Sequence, residues 1–220
     1  MAKLTWDDTG KRFYETGDKK GVLFPYDKKT GEYGTGVAWN GLTAVTESPS
    51  GAEETALYAD DIKYLSLRSA EEFGFTIEAY TYPDAWAACD GSAQIAPGVT
   101  VGQQGRSMFG FSYVSTLGND VDGNDYGYKL HLIYGATASP SERSYATVND
   151  SPEAITFSWE CSTVPVEVPG YKAIAEITID STKVDKTKLV ELEKKLYGDD
   201  TTGTPTLPTA AEVIAMFAKG

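Results

Sequence analysis

The chain of 220 residues carries one histidine, two cysteines and three methionines. Cys89 and Cys161 lie in neither a CxxC pair nor a Cys/His cluster, so the pattern of structural zinc is missing. No apolar run approaches the ~20 residues of a membrane span. The opening "MAKLTWDD" has no apolar h-region, which predicts no secretory signal and a cytosolic product with two free thiols. Basic residues are also scarce, 19 Lys and Arg against 32 Asp and Glu, for a formal net charge of −13. Such a surface does not grip phosphate backbones. It does suit a surface that DNA slides past without sticking. No GxSxG, P-loop, HExxH or strand-to-helix GxGxxG occurs.

What is abundant is aromatic. Aromatic residues make up 12% of the chain, with 14 Tyr and 4 Trp, and this composition favours strands over helices. Residues 1–35 are polar and punctuated by glycine, which predicts an extended arm or loose hairpins outside the core. "VAWNGLTAVTESP" (37–49) alternates around an Asn-Gly turn signal, and 48–61 is a turn-rich acidic loop. Alternation resumes over 62–82, with Ile62, Tyr64, Phe73, Phe75, Ile77 and Ala79 on the buried side. Pro83 and Asp84 open a short helix that puts Trp86 and Cys89 on one face and ends at Gly91. Strand-length segments follow at 105–117, 127–138, 154–168 and 171–180.

Two helices come last. Residues 183–198 align Val184, Leu189, Leu192 and Leu196 and stop at Gly198. Residues 207–220 open on the capping box Thr209-x-x-Glu212, after a flexible linker at 199–208. The expected fold is mainly β: an antiparallel β-sandwich or barrel of about seven or eight strands. It has a short flanking helix, a long loop and a helical C-terminus. The expected division is an arm (1–35), a β domain (36–182) with an extended loop at about 40–72, and a helical segment (183–220).

The stretch "GNDVDGNDYGYKLH" (118–131) resembles the start of a calcium loop. Counting from Asp120, oxygen ligands fall at positions 1, 3 and 5, but position 6 is Asp125 and position 12 is His131. The glycine and the closing Glu are missing, which leaves a polar hairpin turn as the reading. No catalytic centre assembles elsewhere. His131 sits alone on a strand, where a hydrogen-bonded structural role is the ordinary one. The paired acids Asp60-Asp61 and Glu71-Glu72 read as solvated loop carboxylates.

From the acidic turn onward, "YGYKLHLIYGATASPSERSYATVNDSPEAITFSWECSTVPV" (126–166) resembles the major tail proteins of long, non-contractile-tailed bacteriophages. The residues that carry the likeness are Gly127, Lys129, His131, Tyr134, Pro140, Glu153, Ala154 and Trp159. Residues 36–65, 77–86 and the C-terminal "LPTAAEVIAMF" resemble the same family, so the likeness runs through nearly the whole chain.

The resemblance implies a virion structural protein, made in the host cytoplasm, with no enzymatic activity, cofactor or metal. It implies a β-sandwich with a flanking helix, closed into hexameric rings that stack into the tail tube. The implied partners are other copies of the chain, the tape-measure protein, the tail-tip and tail-terminator proteins, and double-stranded DNA in passage without specific binding. No membrane partner is implied. If strands over 73–82, 127–134, 155–162 and 172–180 line the channel, their polar faces nominate Glu78, Lys129, His131, Glu160 and Glu176 as lumen-facing residues. Candidate subunit or ring contacts are Phe13, Tyr14, Trp39, Glu53, Glu54 and Tyr58. Two other readings fit the composition: an acidic β-sandwich module that binds carbohydrate or a cell surface, and a glycosidase-type enzyme with a carboxylate pair.

Overall fold

A computed structural model describes residues 4–148, 150, 153–199 and 203–218. The ends of the expected arm and C-terminal segment (1–3 and 219–220) and the linker residues 200–202 lie outside the described residues. The protein is mainly β, 46% strand and 13% helix. Its strands are β1 (Tyr14–Asp27), β2 (Glu32–Tyr33), β3 (Val37–Trp39), β4 (Leu42–Glu47), β5 (Ser50–Gly51), β6 (Glu54–Ala59), β7 (Ile62–Arg68), β8 (Glu71–Glu72), β9 (Gly74–Ala79), β10 (Ala93–Ala96), β11 (Val99–Val101), β12 (Phe109–Asn119), β13 (Gly123–Ala138), β14 (Phe157–Thr163) and β15 (Glu176–Asp180). The helices are α1 (Ala87–Asp90), entered through a 3-10 turn at Asp84–Trp86, then α2 (Lys186–Tyr197) and α3 (Ala210–Ala218).

One antiparallel sheet dominates, in the order β2-β1-β12-β13-β14-β9-β4, with β15 also paired to β13 and β3 to β1. This sheet is rolled. Phe75 of β9 and Phe111 of β12 are three strands apart in that order, about 14 Å in a flat sheet. Their ring centroids are 6.3 Å apart. The segment 37–47 spans the gap between the two ends, because β3 pairs with β1 and β4 with β9. The Val45 N–H donates to Asp18 of β1 at 2.9 Å, on the same seam. Inside the roll pack Leu23, Trp39, Phe75, Ile77, Phe109, Phe111 and Trp159, and Trp86 and Cys89 of the short helical segment join them. Trp86 lies 4.8 Å from Trp39 and 4.9 Å from Phe109 between centroids. Gly91 ends α1 at φ +80°, as the sequence predicts.

A second core lies on the other face of β1, β12, β13 and β15. Val22, Phe24, Val114, Leu130, Leu132 and Ile179 meet Leu189, Leu192 and Leu196 of α2 and Val213 of α3. Both helices are capped as their sequences direct. Asp185 accepts from the Thr187 and Lys188 N–H groups, and Thr209 and Glu212 exchange the reciprocal bonds of a capping box. Strand β13 serves both cores by changing partner, from β15 over 129–133 to β14 over 136–138. Gly135 makes that switch at φ +64°, and a Cβ there would sit 2.2 Å from the Val164 carbonyl oxygen.

Three expectations are corrected. Residues 14–27 do not belong to a loose arm: they form β1, a long inner strand on β12, and Val22, Leu23 and Phe24 are buried. The short apolar run "GVLF" lies between two cores and so faces apolar neighbours on both sides, a pattern that the surrounding Lys and Asp mask. Ile62 and Tyr64 do not belong to a half-buried strand. They lie in a hairpin of β6 and β7, and every residue of β7 is exposed. The extended segment begins after Glu47 rather than near residue 40, because β4 is a sheet strand.

Candidate functional site

Two features stand apart from ordinary packing. The first is the arm, residues 48–72. Its base is the short pair β5–β8, and its shaft is the β6–β7 hairpin. Asp60 and Asp61 form the two-residue turn with φ of 51° and 62°, the left-handed geometry that a tight hairpin needs. Glu54 binds Lys63, accepts from Ser66 Oγ at 2.5 Å and lies 3.9 Å from Arg68, so the polar side of the shaft is self-paired. The bond from Lys63, with help from Ser66, holds the Glu54 carboxyl below its ordinary pKa. The apolar residues of the shaft have no such partner: Tyr58, Ile62 and Tyr64 are 71%, 66% and 70% exposed, and Leu57, Leu65 and Leu67 are exposed as well. Seven residues of β7 extend about 23 Å.

The second feature is a polar cluster at one end of the roll. Strand register places Tyr113 and Ser115 of β12 on the same face as His131 and Lys129 of β13. The same pairing brings Thr178 of β15 opposite His131. Glu47, the last residue of β4, reaches this face from the other end of the sheet. His131 Nδ1 is 3.3 Å from Glu176 Oε1, 3.4 Å from Glu47 Oε1 and 3.4 Å from Thr178 Oγ1. Its Nε2 lies 3.0 Å from Ser115 Oγ. The Tyr113 hydroxyl donates to Glu47 at 2.5 Å, and Thr178 donates to Glu176 at 2.6 Å. Burial pushes the Glu176 carboxyl up, but bonds from His131 and Thr178 outweigh it and leave the pKa lowered. Burial, with the Glu47 bond, raises the Tyr113 phenol far above its ordinary pKa, so it stays a donor. Lys129 is engaged separately, in an ion pair with Glu15.

The nominated lumen-facing residues do not share one surface. Glu78 and Glu160 project from the outer side of β9 and β14, opposite Phe75, Ile77, Trp159 and Cys161. Lys129, His131 and Glu176 lie on the inner side of the roll, and His131 is only 8% exposed. Period-2 alternation identifies the polar face of each strand, but rolling the sheet turns those faces in opposite directions. Trp39 is likewise no surface contact. It is buried among Trp86, Phe111 and Trp159, with its indole N–H donating to the Thr81 carbonyl at 3.0 Å. Phe13, Tyr14, Glu53, Glu54 and Tyr58 are exposed. Phe13 rests on Tyr126, and the Tyr14 hydroxyl donates to Asn124 at 2.9 Å.

The acidic turn after β12 has its side chains engaged in holding the chain. Asp120 accepts from the Gly10 and Arg12 N–H groups, and Asn119 accepts from Val121 and Asp122. Sequence reasoning passed over Glu47, Tyr113 and Ser115. They join His131 only through pairings that no local pattern announces. No family model matches the chain, and no curated protein matches it in sequence.

Proposed function

We propose that the protein is a self-assembling structural subunit whose copies close into rings and stack into a tube of the phage-tail type, through which DNA passes. The observation that carries this reading is the arm. An apolar hairpin held about 23 Å long in water, on a chain of net charge −13, is a liability unless another surface covers it. The sequence resemblance to tail-tube proteins supplies the occupant: a second copy of this chain. On this reading the tape-measure protein fills the tube during assembly, and the tip and terminator proteins bound it.

The channel wall in this reading is the outer face of β4, β9 and β14. It presents Ala44, Thr46, Thr76, Glu78, Ser158, Glu160 and Ser162: one alanine, small hydroxyl residues and two acids, with no base. Neither terminal helix belongs to the core that backs the other sheet half's inner face; both pack against β1, β12, β13 and β15. A wall of this character repels phosphate and offers no donor fork to hold it. The carbohydrate-binding alternative leans on surface aromatics; Trp39, Trp86 and Trp159 are spent inside the roll, while Trp6 and several tyrosines are exposed.

Electron microscopy and sedimentation of the full chain test the assembly. Rings or tubes are expected from the wild type. A variant with Glu54–Arg68 replaced by a short Gly-Ser turn should keep the wild-type melting temperature and remain monomeric. A wild type that stays monomeric at every concentration, alone and with tail-tip seeds, overturns the proposal, as does a hairpinless variant that still forms tubes.

A further inference from the structure

We propose that Glu47, His131 and Glu176 form a binding site for one divalent transition-metal ion, with zinc as the best-matched species. The three ligand atoms lie within 4.8 Å of one another, and among the described residues this is the one group of His, Cys, Asp and Glu that converges so closely. Two arguments separate it from a chance ion pair. The first is a mismatch of donors. His131 Nδ1 can carry one proton, yet it faces three oxygens, from Glu176, Glu47 and Thr178, at 3.3–3.4 Å. Tyr113 and Thr178 each give one carboxylate a donor, but one imidazole N–H cannot serve both carboxylates fully, whereas a cation between them serves both and the nitrogen at once. The second is spacing. Zinc bonds nitrogen and carboxylate oxygen at about 2.0–2.2 Å, which makes the edge of a tetrahedron about 3.4 Å. The nitrogen–oxygen separations of 3.3 and 3.4 Å match two such edges, and the two oxygens, within 4.8 Å of each other, are near enough to close on an ion.

The surrounding shell has the form that metal-binding imidazoles use. With Nδ1 on the ion, Nε2 keeps its proton and donates it to Ser115 Oγ, 3.0 Å away, which fixes the tautomer. Tyr113 lies parallel to the imidazole, and its hydroxyl holds Glu47; Thr178 holds Glu176. Two carboxylates neutralise the ion's charge, and the partly exposed Glu47 leaves a side for a water as fourth ligand. Two carboxylates and one nitrogen are too few oxygens for calcium, and the absence of sulfur from the set disfavours cuprous copper. Because the ligands come from β4, β13 and β15, the ion would bolt the seam of the roll at the residue from which the arm departs. The site does not depend on the assembly reading.

The test uses the untagged full chain, stripped of metal and titrated with zinc by calorimetry. The single imidazole is followed by nitrogen-15 NMR. One ion per chain is expected, with the Nδ1 resonance moving and the Nε2 proton retained. Glu47→Gln and Glu176→Gln, which keep the shape and most hydrogen bonds, should each weaken binding by about tenfold or more, and His131→Ala should abolish it. Ser115→Ala should weaken it within the ~10–100-fold range of outer-shell changes. Absence of binding at micromolar zinc overturns the proposal. So does binding that leaves the imidazole resonances unmoved or that both Gln variants retain in full, because the ion then sits on surface carboxylates.

Discussion

The Tyr113 ring lies parallel to the His131 imidazole, with 4.4 Å between centroids and 3° between planes, across adjacent strands β12 and β13. The stack and the Tyr113–Glu47 bond are separable. Tyr113→Phe keeps the ring and removes the donor to Glu47. The expected loss is about 1 kcal/mol of stability, the net worth of a partly exposed hydrogen bond to a carboxylate. Tyr113→Ala removes the stack as well and should cost about 3–5 kcal/mol, since the side chain is buried. Denaturant midpoints for the two variants measure the difference. Equal losses would mean that the hydroxyl alone carries the contribution.

Acid should loosen the same corner. The Glu176 carboxyl is held below its ordinary pKa, because bonds from His131 and Thr178 outweigh its burial. A depressed carboxyl stabilises the fold above its unfolded pKa of about 4.3 and loses that contribution as pH falls through the lower folded value. Glu176→Gln should therefore show a shallower decline of stability below about pH 4.3 than the wild type. Parallel curves for the two proteins across that window would remove Glu176 from the acid transition.

The two thiols should behave as buried and inert. Burial, and then the charge of Asp90, pushes the Cys89 pKa up to about 12. Burial also raises Cys161, helped by Cys89 and Glu160. A raised folded pKa gives stability that is full below the unfolded thiol pKa of about 8.5 and is lost as pH rises towards the folded value. Labelling at pH 8 should run at the rate of unfolding and be insensitive to reagent concentration. Labelling that scales with reagent would place a thiol in reach of solvent in the native state.

If the chain forms the proposed tube, charge on the outer face of β9 and β14 should govern passage rather than assembly. Glu78→Lys with Glu160→Lys should give tubes of normal width, because both side chains point away from the inner core. On the proposed tube reading, DNA passage through tubes that carry the pair should slow, most at low salt, since charges reach only about 8 Å at physiological ionic strength. Loss of tubes in the double variant would assign this face to a subunit interface instead.

Much of the β architecture was legible because its signals are local. Phe75, Ile77 and Ala79 alternate as a half-buried strand should, and the capping residues Asp185 and Thr209 sit where helices begin. The failures have separate causes. β1 is apolar for only a few residues because it is buried on two sides over that length alone. Ile62 and Tyr64 alternate like core residues, yet they belong to the arm, where they face solvent. The Glu47, His131 and Glu176 cluster was invisible for a third reason. Its members sit on three strands that meet only when the sheet rolls, and local periodicity carries no information about that closure.

The seam has a temporal meaning as well. β1 can pair early with β2 and β3, but its long partner is β12: Tyr14 pairs with Gly118 and Pro25 with Phe109. At ribosomal rates of roughly 5–20 residues per second, the first strand waits several seconds beside an unfinished chain. During that wait the edge of β1 that β12 will cover stays open, and the apolar side chains of the arm are exposed. Pairings this distant also fold slowly, since loop closure must precede the contacts that reward it. The newborn chain thus has an open sheet edge until the roll can close, and the polar residues flanking "GVLF", Lys19 and Lys20 on one side and Asp27 to Lys29 on the other, shield the apolar part of the strand during that time.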